Sequence, residues 1–96
     1  MAVKIIIRRR VQSDKEAELL PLLNKLRSSA IAQSGYISGE TMRSVDDPEE
    51  YLVISTWKSL NSWKTWESSE QRKEIQEEVD TLLREKTEYS IYFYGE

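Results

Sequence analysis

Histidine and cysteine are both absent from the 96 residues. Without histidine the chain has no imidazole base and no imidazole metal ligand. Without cysteine it has no thiolate nucleophile, no thiolate metal site and no disulfide framework, a composition that suits a reducing compartment. An excess of basic charge is also missing, with 14 Lys and Arg against 17 Asp and Glu for a net charge of −3. Phosphate binding normally requires a net basic face, so nucleic acid is not an expected partner. The one basic run, Arg8-Arg9-Arg10, is short and is offset by Asp46-Asp47-Pro48-Glu49-Glu50. No apolar stretch approaches the roughly 20 residues that cross a bilayer. No basic segment followed by a long apolar run suggests a signal peptide. These absences lead to the expectation of a cytoplasmic protein without a membrane partner, organised as a single domain over residues 1–96.

Aromatic side chains are concentrated instead. Trp57, Trp63 and Trp66 fall within ten residues of one another, and five tyrosines are present. Such a block can line a pocket for a flat organic ligand, or simply fill a core.

Alternation and helical spacing divide the chain into elements. Residues 3–12 read as a strand, with Val3, Ile5 and Ile7 on one face and Lys4, Ile6, Arg8 and Arg10 on the other. Ser13-Asp14-Lys15-Glu16 has the form of a capping box, and a helix is expected from there to about residue 32. Leu19, Leu22, Leu23, Leu26 and Ala30 make its buried stripe. Pro21 lies inside it and removes one backbone donor. Gln33-Ser34-Gly35 ends the helix, with Gly35 suited to a left-handed backbone conformation.

Residues 36–45 and 51–57 read as a hairpin, and Ser59 can cap a short helix carrying Leu60, Trp63 and Trp66. A third helix over about 69–86 buries Ile75, Val79, Leu82 and Leu83, and residues 88–94 form a last strand. The order βαββααβ implies an α+β fold of ferredoxin-like kind, a four-stranded antiparallel sheet with helices on one face. In the last strand Tyr89, Ile91 and Phe93 point one way, and Tyr92 and Tyr94 the other. One face packs on the helices; the second calls for its own cover, most simply a second copy of the sheet in a homodimer.

Three segments carry a family resemblance: Ser34-Gly35-Tyr36, Arg43-Ser44-Val45-Asp46-Asp47-Pro48, and Trp57-Lys58-Ser59 leading to Trp63 and Trp66. Over nearly its whole length the chain resembles the antibiotic biosynthesis monooxygenase family of dimeric α+β barrels. The resemblance implies cofactor-independent oxygenation of a quinol-like or polycyclic phenolic substrate, with no cofactor and no metal. The alternatives it leaves open are a non-catalytic dimeric module, structural or binding a small aromatic, and, behind it, haem binding or degradation. In the haem-degrading branch the resemblance aligns Trp66 with a working Trp, but puts Gln76 where that branch has its iron-ligating His and Ile7 where it has an Asn. In the anthrone-oxygenase branch Trp57 matches, while Val53 replaces an Asn and Trp63 a Tyr.

Oxygenation without a cofactor needs an electron-rich substrate, a dry pocket and polarisation of a developing oxyanion. The polar side chains considered for it are Arg8, Arg10, Glu40, Tyr36, Tyr51, Tyr92 and Tyr94. Arg8, Arg9 and Arg10 otherwise read as a solvated or ion-paired strand surface. At about 100° per residue, Trp63 falls in the middle of the short helix's apolar arc, with Leu60 and Trp66 at its edges. Trp63 is therefore expected in the core. The substrate pocket is expected between helices and sheet, lined by Trp57, Trp66, Ile7 and Met42, with Arg8 as an anion or phenolate contact.

Overall fold

The computed structural model describes residues 1–94. Its elements are β1 (Val3–Arg10), α1 (Glu16–Ile31), β2 (Tyr36–Arg43), β3 (Glu50–Trp57), α2 (Leu60–Glu67), α3 (Glu70–Leu82) and β4 (Glu88–Phe93). The strands form one antiparallel sheet in the order β2-β3-β1-β4. The expected βαββααβ order and ferredoxin-like α+β class are what the chain adopts. Element ends shift by a few residues, and α3 stops at Leu82 rather than near 86.

The β-branched residues of β1 place it centrally, between β3 and β4. Val3 pairs with Trp57 on one side and Phe93 on the other, and Ile7 with Val53 and Tyr89. Residues opposite one another share a face, so Val3, Ile5 and Ile7 meet Trp57, Ser55 and Val53 under the helices. Leu19, Leu26, Trp63, Trp66, Ile75 and Val79 cover that face and are all buried. Leu22, Leu23 and Ala30 complete the α1 stripe at partial burial. The helix continues through Pro21.

Two glycines permit close packing. Gly35 follows α1 at φ 89°, and a Cβ there would lie 2.3 Å from Ser62 Oγ in α2. Its carbonyl accepts from the Lys58 amide at 2.7 Å, tying the helix end to the exit of β3. At Gly39 a Cβ would fall 2.3 Å from the Tyr36 hydroxyl. α2 and α3 start on serine caps, with Ser59 Oγ accepting from the Ser62 amide at 3.1 Å and Ser69 Oγ from the Arg72 amide at 3.2 Å.

The capping box at Ser13 does not form. Residues Ser13–Lys15 make a 3₁₀ turn without a side-chain cap. The Ser13 amide and hydroxyl both donate to Glu49 Oε2, at 2.9 and 3.2 Å. Glu16 instead accepts from the Tyr51 hydroxyl at 2.9 Å and from Arg43. Partners distant in sequence satisfy both ends of the motif, so the local box is unnecessary.

Candidate functional site

A cavity of about 200 Å³ lies between α1 and the sheet. β1 contributes Ile7 and Arg9, and β3 contributes Tyr51, Val53, Ser55 and Trp57. β2 lines it with Tyr36, Gly39, Glu40 and Thr41, α1 with Leu20, Leu23, Leu26, Arg27 and Ala30. Trp63 and Trp66 of α2 and Arg72 of α3 complete the wall. Arg27 spans from α1 to the β2 edge, donating to Gly39 O at 2.8 Å and Thr41 Oγ1 at 3.2 Å.

The aromatic residues stack edge to face through this region. Tyr36 meets Trp57 at 5.4 Å between ring centroids and 86° between planes, and Trp57 meets Trp63 at 5.8 Å and 67°. Trp63 then lies 6.2 Å from Tyr89. Such contacts hold flat faces in fixed positions. The Trp57 indole donates to Ser55 Oγ at 3.2 Å.

Of the five residues expected to bind substrate, the structure brings three to the cavity: Trp57, Trp66 and Ile7. Met42 and Arg8 lie on the opposite face of the sheet. They are exposed and opposite Leu52, Arg8 from β1 and Met42 from β2. The physical reason for Met42 is a bulge. Tyr36 pairs with Trp57 but Ser38 with Thr56, so two residues of β2 oppose one of β3. The extra residue turns positions 38, 40 and 42 away from the face that Tyr36 occupies. Glu40 is exposed on that outer side and lacks the burial that would suit it to act as a base. Trp63, expected in the core, is both buried and part of the cavity wall.

Arg9 reads in the sequence as part of a solvated charge run, yet its alternation with Val3, Ile5, Ile7 and Val11 is the signal that places it on the buried face. It is 6% exposed. Its Nη2 donates to Gln76 Oε1 at 3.1 Å, and its enclosed Nε–H has no partner among the described residues. Burial pushes its pKa below the ordinary arginine value, only partly offset by Tyr89 and Asp80, yet an arginine remains protonated. Gln76 bridges Arg9 to Asp80, donating from Nε2 to Oδ1 at 2.8 Å. The Trp63 indole N–H is a second enclosed donor without a partner among the described residues. An unsatisfied buried donor costs roughly 1–3 kcal/mol.

Tyr51, buried on β3, donates to Glu16 and accepts from Arg43, whose guanidinium lies 4.7 Å from its ring centre. Burial raises the Tyr51 pKa, with Arg43 pulling the other way, so the phenol stays neutral near pH 7. Arg72 donates to the Tyr89 hydroxyl and to Glu67 O. The cavity thus presents flat apolar walls and fixed donors, a combination that can orient a planar molecule and favour negative charge on its oxygen. No group of three or more potential metal-ligating side chains is found among the described residues, and no helix there is long and apolar enough to cross a membrane.

The fold and site together define a ferredoxin-like α+β domain with an aromatic-walled cavity on its helical side. Residues 2–78 match the family described as antibiotic biosynthesis monooxygenase, and the chain belongs to that family. Among curated proteins it is similar to Protein SchA of Streptomyces halstedii, at 23% identity over 82 residues. That match takes in 85% of this chain and 22% of SchA, so the chain spans about a fifth of this relative's length. Among solved structures it resembles a conserved protein from Methanosarcina mazei, at 24% identity and TM-score 0.89 over 96% of this chain and 91% of the other. It also resembles SnoaB, a cofactor-independent oxygenase from Streptomyces nogalater, at 15% identity and TM-score 0.87 over 99% and 94%. These structural likenesses establish the shared fold.

Proposed function

We propose that this chain is a cofactor-independent monooxygenase whose substrate, a quinol-like or phenolic aromatic, occupies the cavity between α1 and the sheet. The observation that carries this reading is the cavity itself, with tryptophan walls and the buried, positively charged Arg9 in its lining. Family membership and the shared fold with SnoaB support it. The cavity offers no well-placed base, since Glu40 is exposed and Tyr51 is held neutral. The substrate therefore ionises by its own acidity, with the Arg9 charge favouring the anion, and passes an electron to oxygen. In the oxidation of a phenol to a quinone, one oxygen atom of O₂ becomes the new C=O at a ring C–H carbon. The other leaves as water with the hydrogen of that carbon and the phenolic hydrogen.

The volume favours the small end of the substrate range. A cavity of about 150 Å³ suffices for benzene, so one or two rings fit here without opening the α1–β2 gap. Three or four fused rings require that gap to widen.

Oxygen-electrode measurements on chelator-treated protein, over a panel of hydroquinones and anthrones, test the reading. Uptake above the uncatalysed rate, with product oxygen derived from ¹⁸O₂, is the expected result. No uptake together with ligand binding favours the second reading, a small-aromatic-binding module, for which the apolar Val53 in the cavity wall speaks directly. Haem chemistry has no iron ligand at Gln76, whose side chain is engaged by Arg9 and Asp80.

The same reading includes a cytoplasmic homodimer formed through the open sheet face. Supporting it, Tyr92 and Tyr94 at the β4 edge are 55% and 52% exposed, and Ile6, Leu52 and Ile54 lie on the face away from the helices. A single sedimenting species of twice the chain mass at micromolar concentration is expected; a clean monomer contradicts it.

A further inference from the structure

We infer that the cavity selects small aromatic acids, with the ring against Trp57 and Trp66 and a ring-borne carboxylate on Arg9. The inference is carried by the surroundings of Arg9. Its guanidinium is buried in the cavity lining, and its hydrogen-bonding partners, the Gln76 amide and the Tyr89 phenol, are both neutral. Among the described residues no carboxylate forms an ion pair with it; Asp80 is reached only through Gln76. The charged residues lining the cavity are the buried Arg9, the half-buried Arg72 and the exposed Arg27, while Glu40 turns its side chain to the outer face of the sheet. A positive lining has thus been assembled in a chain whose net charge is −3.

A buried cation calls for a paired anion, and the planar guanidinium fork matches a carboxylate better than a single hydroxyl oxygen. A neutral phenol would first have to lose its proton to supply that charge. A carboxylate brings it at pH 7.

This inference shares its cavity with the oxygenase reading but is tested by binding alone, so an inert protein can still satisfy it. Isothermal titration under argon compares 2,5-dihydroxybenzoate with its methyl ester, which differs by the charge. The acid is expected to bind at least about tenfold tighter than the ester. Arg9→Met should remove that preference by weakening the acid alone, and Arg9→Lys should retain part of it. Equal affinity for acid and ester, no binding of either up to millimolar concentration, or a preference that survives in a folded Arg9→Met protein would each overturn the inference. Should Arg9→Met fail to fold, the acid-to-ester ratio on the unaltered chain decides the matter.

Discussion

Arg9 on β1 and Gln76 on α3 are both buried and joined by a 3.1 Å hydrogen bond from guanidinium to amide oxygen. This contact fixes the cavity's one buried cation without neutralising it. It also gives Gln76 a defined task, since the same side chain donates to Asp80 at 2.8 Å.

Replacing Gln76 with Leu should therefore destabilise the protein by roughly 1–3 kcal/mol, because Arg9 loses the Gln76 hydrogen bond while remaining buried. The double replacement Arg9→Met with Gln76→Leu should recover most of that loss, since an apolar pair of similar volume needs no compensation. Urea unfolding of the four proteins measures the coupling. Additive effects would show that the pair does not act as a unit.

Gly35→Ala should cost about 1–3 kcal/mol, from a positive φ that an L side chain resists. Ser62→Ala should fail to rescue it. The new Cβ would still lie 2.5 Å from the Ser62 Cβ, and the backbone strain is untouched. Thermal unfolding of the single and double variants is the check.

Two carboxylates should shape the acid limb of stability. Hydrogen bonds from Tyr51 and then Arg43 hold the Glu16 pKa below its ordinary value, and Arg10, at 2.6 Å, does the same for Asp47. A depressed folded-state pKa means the stabilisation is fully present above the unfolded values of about 4.3 and 3.9. It is lost as the pH falls through the lower folded values. Urea midpoints measured from pH 7 down to pH 3 should fall less steeply for Glu16→Gln and Asp47→Asn than for the unaltered chain. An unchanged slope would remove these groups from the explanation.

Truncating Trp66 to Ala should destabilise by about 3–5 kcal/mol, because it is nearly fully buried against the core. Trp66→Phe keeps an aromatic wall and should lose much less stability. If Trp66 also contacts ligand, the Phe variant should weaken aromatic binding out of proportion to its small loss of stability. Titration beside denaturation separates the two roles.

Most of the architecture was legible in the sequence because it rests on alternation and helical spacing. β1 announces its buried face through Val3, Ile5, Ile7 and Val11, and Ser59 announces the start of α2. The same alternation should have identified Arg9, but three successive arginines look like a solvated surface until the odd positions are counted. Met42 was not legible. A bulge after Tyr36 reverses the faces of β2, and the pairing with β3 that reveals it spans residues far apart in the chain. The Ser13–Glu16 box failed for a related reason. Glu49, Arg43 and Tyr51 arrive from the hairpin and claim both side chains. Local motifs were dependable where the partner was also local.

The most direct experiment compares the unaltered chain with Val53→Phe, which fills the cavity from its floor while leaving Arg9 and all three tryptophans in place. Oxygen uptake with a hydroquinone probe, in excess chelator, should exceed the uncatalysed rate for the unaltered chain. It should fall at least about tenfold in the variant, equivalent to about 1.4 kcal/mol in the barrier, while circular dichroism shows the fold retained. Uptake that survives in a folded Val53→Phe protein, or that never rises above background in the unaltered chain, would contradict an oxygenase acting in this cavity.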